Sequence, residues 1–575
     1  MLYPTLPVQN TTRQMIEVFG GYNHNLRISD NEFYDMLNMT ADNYPILSPR
    51  RARETFIKSN NLTGMIAKDD FCYVDGSFFV VGDERIDMDL SSEPKTLVSM
   101  ASYVVILPDK KFINTADTED RGDIEAVHVT SGHTTFSLCK LDGSEYEGVT
   151  FSDIAPANPK NLDLWLDTSS TPNSLKQYSS NSATWVSIAS TYVKIFSEGI
   201  GELFEEGDGV TISGIVDASI ADFNSTMVIQ AKGDNFIVVI GILDKVTDQD
   251  APITIKRLMP NLDFVIESGN RLWGCRYGEA LNGEMVNEIY ASKLGDFKNW
   301  NSYQGISTDS YAASCGTDGA FTGAVTHLGY PIFFKENCMH KVYGNFPANY
   351  QIQTTDCRGV QNGSHKSLAI VNEVLYYKSR LGVCAYDGSL PVEVSENLGD
   401  TPYFNAVGGA HGNKYYISMA DGAGGHHFFV YDTSKGLWHK EDDTNAFQFC
   451  SYKNDMYFID KESGQIKNVI GKNTDEDISW MVESGVIGFD SPDKKYISNM
   501  MVRLSLEFGS RVFFYIMYDS SGKWEHVGTV TGHSLKSMSV PVRPRRCDHF
   551  RIKIEGEGGA KIFSICKTLE QGSDY

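Results

Sequence analysis

The stretch VLYYKSRLGVCAYDGSLPVEVS, residues 374 to 395, carries two short apolar runs, Leu375-Tyr376-Tyr377 and Val383-Cys384-Ala385-Tyr386, each set off by polar turn residues. Short aromatic and β-branched runs bounded by Gly, Asp, Asn and Ser predict strands and hairpins. The unit returns along the chain. Phe333, Tyr376, Tyr415 and Tyr457 stand 43, 39 and 42 residues apart in similar surroundings, and Trp273 precedes Phe333 by 60. A repeat of about 40 to 50 residues built of short strands is the signature of a propeller blade. A four-stranded sheet with two apolar faces cannot cover both alone, and stacking against its neighbours does so. Two earlier hairpins, 69–86 and 102–115, bring the expectation to six or seven blades. A β-sandwich with coincidental spacing is the competing reading.

The rhythm stops between residue 115 and Trp273, where other strand signals such as LWLDTSSTPNSLKQYSSNSATWVSIASTYVKI intervene. The pattern predicts a small β domain inserted over 116–235, with NFIVVIGIL (235–243) resuming the propeller, because exposed loop tips accept insertions. After about residue 475, period-two alternation in KYISNMMVRLSLEF, SRVFFYIMY and HFRIKIEGEG predicts a terminal β-sandwich with Arg503, Arg551 and Lys553 facing outward. The expected division is therefore an N-terminal arm leading into the propeller (1–54), first blades (55–115), insertion (116–235), remaining blades (236–474) and sandwich (475–575). The fold class is all-β.

Composition adds constraints. With 41% hydrophobic and 22% charged residues the 575-residue chain is folded, and it is too long for one ordinary core. A net charge of −24 repels nucleic acid and anionic membrane surfaces. Ten cysteines are scattered without a CxxC pair, so neither a zinc ribbon nor a disulfide scaffold is expected. The amino terminus lacks the pattern of a signal peptide, and no apolar run approaches the roughly 20 residues of a spanning helix. A soluble product of a cytoplasm is expected.

Candidate chemistry is sparse. DTSKGLW (432–438) and DSSGKW (519–524) resemble the Asp-box turn of sialidase-like propellers, a structural device. His411, His426 and His427 cluster in sequence, but adjacent residues of a strand face opposite ways, so no metal site and no cofactor is expected. Arg121-Gly122-Asp123 reads as a turn. No P-loop, nucleophile elbow or carboxylate pair appears, so no catalytic residue can be named and no enzyme is expected. Two basic runs, SPRRAR (48–53) and VRPRRC (542–547), stand out against the acidic background. Beside the plain reading as solvated loops, Arg50, Arg51, Arg545 and Arg546 are candidate subunit-interface residues, since guanidinium forks suit acidic neighbours.

The arm GGYNHNLRISDNEFYDMLNMTADNYPILSPRRAR resembles the opening of tail stabilization or tail nozzle proteins of tailed bacteriophages. The matching residues are Asn25, Glu32, Phe33, Tyr34, Asp35, Met36, Asn38, Tyr44, Pro45, Ser48, Pro49 and Arg50. NRLWGCRYGEALNGEMVNEIYASKLGDFKNWNSY (270–303), LYYKSRLGVCAYDG and the LWLDTSS stretch resemble the same family. The resemblance implies a propeller-bearing virion subunit, synthesised in a bacterial cytoplasm, that forms a homo-oligomeric ring, a hexamer, beneath portal and adaptor. Such a ring helps retain the genome and conducts it without binding it tightly, and an acidic channel lining is the expected means. A glycan-binding adsorption protein and a propeller glycosidase are the alternatives.

Overall fold

The computed structural model describes residues 11–280, 283–471, 478–488, 494–532, 535–542 and 545–571. It is built of strands, and among the described residues helix is confined to four short 3-10 segments. Two compact units divide the chain: Met1–Pro94 with Phe333–Met339 and Thr354–Tyr575, and Lys95–Ile332 with His340–Gln353.

In the first unit, residues 62–87, 369–393 and 403–442 each form a four-stranded sheet in simple up-and-down order. Residues 446–468 supply three strands of another, and its fourth comes from far upstream: Glu54–Lys58 pairs with Gln465–Asn468. A strand from the start of the chain thus completes the last blade, which removes a free edge that hydrogen bonding would otherwise leave open. Leu62–Ala67 packs beside Ala446–Tyr452, and that strand beside Tyr403–His411.

The repeated aromatic has one structural meaning. Tyr376 lies in Val374–Lys378, Tyr415 in Lys414–Asp421 and Tyr457 in Asp455–Asp460, in each case the second strand of its sheet. All three rings are buried. The second strand is flanked on both sides within its sheet and covered on both faces, so it demands the most apolar sequence and carries the clearest signal.

The rest of this unit is the β-sandwich. One sheet orders Thr11–Ile16, Ala560–Gln571, Lys495–Leu506 and Lys536–Val540. The other orders Phe33–Leu37, Ser479–Ser484, Phe550–Glu557, Arg511–Tyr518 and Glu525–Thr531. Alternation puts Met500, Val502, Leu504, Val512, Phe514, Ile516, Ile552 and Ile554 into the core. Burying a side chain of this size contributes about 1.5–3 kcal/mol. Arg503, Arg551 and Lys553 face outward as the alternation requires; Arg551 pairs with Glu483 and Lys553 with Glu555. The arm adds one strand to each sheet, so residues 11–37 belong to the sandwich rather than leading into the propeller. The expected boundary at 474/475 lies outside the described residues.

In the second unit, residues 96–123 and 264–314 form two more four-stranded sheets of the same plan, and Thr96–Met100 packs beside Phe264–Glu267. Trp273, in Leu272–Glu279, again marks the second strand. Between these sheets lies the inserted domain, an eight-stranded sheet and a smaller four-stranded one over 149–187. Residues from strands next to the two ends of the larger sheet's order, Phe136 and Ile255 among them, meet in one core with Val193, Ile195, Ile212 and Ile229.

Three expectations need correction here. The insertion begins after Asp123, because Asp117–Asp123 is the fourth strand of the preceding sheet, and it runs to Arg257. Phe236–Ile240 does not resume the propeller; it pairs with Tyr192–Phe196 inside the insertion. A fully apolar strand reads the same in either domain, so period and composition could not assign it. Arg121-Gly122-Asp123 is strand rather than turn. With the sheet of residues 323–356, seven sheets carry the blade plan, and the protein is an all-β propeller with an inserted β domain and a β-sandwich.

Candidate functional site

The basic run at 48–53 proves to be an internal latch. The Arg53 side chain is buried, donates through Nη2 to Glu441 at 2.7 Å and through Nη1 to the Thr444 hydroxyl at 2.6 Å, and pairs through Nη1 with Asp442 at 2.9 Å. Its guanidinium lies over the rings of Phe428 and Phe458, 4.3 and 5.1 Å from their centroids. Arg50 reaches the same carboxylates, Nη2 to Asp442 at 2.9 Å and Nε to Glu441 at 3.3 Å. Glu441 and Asp442 end the outer strand Leu437–Asp442 of the 403–442 sheet. Two guanidinium forks against two adjacent carboxylates thus bind the chain just before Glu54–Lys58 departs to complete the last blade.

The electrostatics follow from burial. Desolvation disfavours the Arg53 charge, yet Asp442 and Glu441 outweigh it and its pKa ends above the ordinary value. Burial would raise the Asp442 pKa, but Arg53 and Arg50 reverse this and hold it below the usual carboxylate range. His439, on the same strand and buried, is pushed down to about 4, first by desolvation and then by Lys414. It is neutral at pH 7.

The rest of the arm continues the junction. The Tyr22 amide donates to the Trp438 carbonyl at 2.6 Å and the Asn38 amide to the Glu441 carbonyl at 2.5 Å. On the sandwich side the Asn38 side chain donates to the Ser479 carbonyl at 2.8 Å. Asn25 donates to the Glu396 carbonyl, Asp35 accepts from Lys440, and Phe33 and Met36 enter the shared core. Lys567, buried in the sandwich, pairs with Asp30 of the arm at 2.6 Å. Gly21, at φ +82°, has the Trp438 carbonyl 2.6 Å from where a Cβ would stand, so any larger residue would break this seam.

The four candidate interface residues therefore separate. Arg50 is spent inside the chain. Arg51 is exposed. Arg545 pairs at the surface with Glu525 at 2.9 Å and lies over the Tyr518 ring, and Arg546 is exposed. Arg543 and Pro544 lie outside the described residues. Sequence reading missed Arg53, the more buried partner; its signal was the spacing Arg50-x-x-Arg53 before a strand, which needs the distant Glu441-Asp442 pair to be intelligible.

Other motifs resolve into structure. In DTSKGLW, Asp432 accepts from the Ser434 amide at 3.1 Å and hydroxyl at 2.7 Å while Trp438 is buried, the expected turn device. In DSSGKW, Asp519 instead accepts from the Asp548 amide at 2.7 Å, so the likeness to an Asp-box ends at the letters. His427 turns to Asp421 and His426 to Asn445. Among the described residues no group of three or more His, Cys, Asp or Glu is placed to hold a metal. Among the described residues no helix is long and apolar enough to cross a membrane.

No protein-family model and no curated protein matches the chain. Among solved structures it is similar to the exo-β-1,3-galactanase of Phanerochaete chrysosporium, at 8% identity and TM-score 0.21 over 53% of this chain and 95% of that one. It is similar also to PorZ, a surface component of the type-IX secretion system of Porphyromonas gingivalis, at 11% identity and TM-score 0.27 over 84% and 71%. A GH43 glycoside hydrolase engineered in its active site to display both endo-xylanase and exo-arabinofuranosidase activity matches at 9% identity and TM-score 0.21 over 55% and 97%. At these values the likenesses assign no activity. They do correct the expectation of a chain without enzymatic function: glycoside hydrolases stand among the structures it is similar to. Propeller sites are assembled from separate loops, so a missing linear motif never excluded catalysis.

Proposed function

We propose that the chain is a structural subunit of a tailed-bacteriophage tail, of the nozzle or stabilization type, assembling as a homo-oligomeric ring that meets portal, adaptor and other tail proteins. The observation that carries this reading is the arm. The residues through which it resembles that family are the ones that join sandwich to propeller: Asn25, Phe33, Asp35, Asn38 and Arg50 each contact the sandwich or the 403–442 blade and its flanking loop. A part under mechanical load needs such a rigid joint. The net charge of −24 supports the same reading, since an acidic subunit repels passing DNA.

Imaging of purified phage particles tests it. The expected result is density for this chain as a ring in the tail, and its absence from the particle would overturn the reading. Replacing exposed Arg51, Arg545 and Arg546 by Glu should leave the monomer's unfolding free energy within about 1 kcal/mol of wild type while weakening the ring in light scattering.

A second reading, a glycan-binding adsorption protein, is favoured by one feature of the insertion. On the 149–187 sheet, Leu166 and Leu175 face the core while Trp185 and Tyr178, 5.3 Å apart, lie half-buried on the other face. Binding to a glycan array that is lost in Trp185→Ala would favour it.

A further inference from the structure

A cavity of about 480 Å³ opens beside the 369–393 and 403–442 sheets. This is the size of a site for one small ligand. One wall is the tight turn between Val374–Lys378 and Val383–Tyr386, with Arg380 and Leu381 at its tip; the other runs from Glu396 to Tyr403. Both walls are fixed. A Cβ on Gly382 would stand 2.2 Å from the Ser395 hydroxyl, and the arm holds the far wall, where the His24 amide donates to the Asn397 carbonyl at 2.8 Å.

The chemistry centres on Lys378. Only 2% of it is exposed, yet it lines the cavity. Its ammonium has three protons to donate and, among the described residues, one acceptor, the Ser379 carbonyl at 2.5 Å. No carboxylate stands within ion-pair distance of it in the described residues. Glu393, whose charge acts on Lys378 without pairing with it, is held by Arg358 at 2.5 Å and accepts from Ser395. A buried charge without a counter-ion is costly unless something supplies one. Burial accordingly draws the Lys378 pKa down to about 8, against the opposing pull of Cys384 and Glu393.

The remaining lining is mixed. Arg380 adds a second cation at the rim, Glu396, Asp400 and Thr401 offer acceptors for hydroxyl groups, and Leu398 and Met419 provide a small apolar surface. We propose that this cavity binds a small hydroxylated carboxylate, the size of an acidic monosaccharide, with its carboxylate on Lys378 and Arg380 and its hydroxyls on Glu396, Asp400 and Thr401. A neutral sugar would leave the ammonium unpaired, and a simple anion would leave the hydroxyl acceptors unused. The site is independent of the tail reading, since it needs only one copy of the chain.

Calorimetric titration of the full chain with glucuronate, and separately with glucose, tests this. Glucuronate should saturate one site, with glucose at least about tenfold weaker. Lys378→Met, which keeps the volume and removes the charge, should cost about tenfold or more for glucuronate. Wild type gives an independent reading. Ligand carboxylate restores the Lys378 charge, so binding near pH 8.5 should take up a fraction of a proton, seen by repeating the titration in buffers of different ionisation enthalpy. Tyr403, the phenol facing the site, is pushed up to about 12 by burial and keeps its proton there. No saturation up to about 10 mM glucuronate, equal binding of the two sugars, unchanged affinity in Lys378→Met, or binding without proton uptake would each overturn the proposal.

Discussion

Two buried arginines do the same job in different parts of this molecule. In the first unit Arg53 ties the arm to Glu441 and Asp442, almost 390 positions away in sequence. In the second unit Arg257 ties the end of the insertion to Asp208 at 2.5 Å and to the Ile124 carbonyl at 3.1 Å. Asp208 also accepts from Asn299 of the following blade region, whose side chain in turn accepts from the Gly209 amide. Both sites stand where the chain passes from one sheet to another. There the period-two pattern that fixes a strand's face has nothing to say, and geometry has to come from directional polar contacts. The difference lies in how charge is balanced. The Arg257 site is one cation, one anion and an amide, whereas the Arg53 site packs two cations against two anions and lays one of them over aromatic rings. The first is a local pin within one unit. The second is a clasp between the end of the arm and the 403–442 blade.

The comparison can be pressed hardest at Arg53. Arg53→Ala would leave Arg50 alone against two carboxylates and remove the guanidinium from Phe428 and Phe458, at a cost of about 3–5 kcal/mol. Differential scanning calorimetry should show the sandwich and the blade around Glu441 losing stability together. If Arg53→Ala melts like wild type, the clasp is ornamental.

Asp208→Ala should cost less, about 2–4 kcal/mol, because Arg257 keeps the Ile124 carbonyl. The loss should show as faster limited proteolysis within residues 126–257 and leave the first unit's transition in place. Cleavage spread evenly over the chain would mean the pin is not local.

The effect that is smallest at pH 7 is the pH dependence at the clasp, which develops only on acidification. His439 titrates near 4 in the folded chain and near 6.5 when unfolded, so between those values the unfolded chain binds more protons. Stability therefore falls as pH drops from 6.5 towards 4, by at most about 1.4 kcal/mol per pH unit from this residue. His439→Gln should flatten that part of the melting-temperature profile. An unchanged slope would assign the acid sensitivity to other groups.

How much was legible in advance differs between the two kinds of feature. The second strands of the blades were plain, since Tyr376, Tyr415 and Tyr457 sit where both faces are covered and a bulky ring is required. The inner strands were not. Ala369–Val371 is three residues long and Ala446–Tyr452 mixes polar with apolar positions, so neither shows a period. Arg50 was noticed for its charge but not for its partners within the chain, because exposed and buried arginines look alike in a sequence. Lys378 raised no signal at all, since one lysine at the end of an apolar strand is ordinary until its surroundings are known.

What the amino-acid sequence alone determined is the local grammar: strand after strand, aromatic at the best-covered position, turns of Asp, Gly and Asn between. That information is short-range, because side-chain alternation and turn chemistry depend on neighbours a few residues apart. Which strand completes which sheet, and which charge finds which counter-charge, was decided only in three dimensions. Glu54–Lys58 could have paired with many edges, and the contacts that select Gln465–Asn468 come from residues hundreds of positions away.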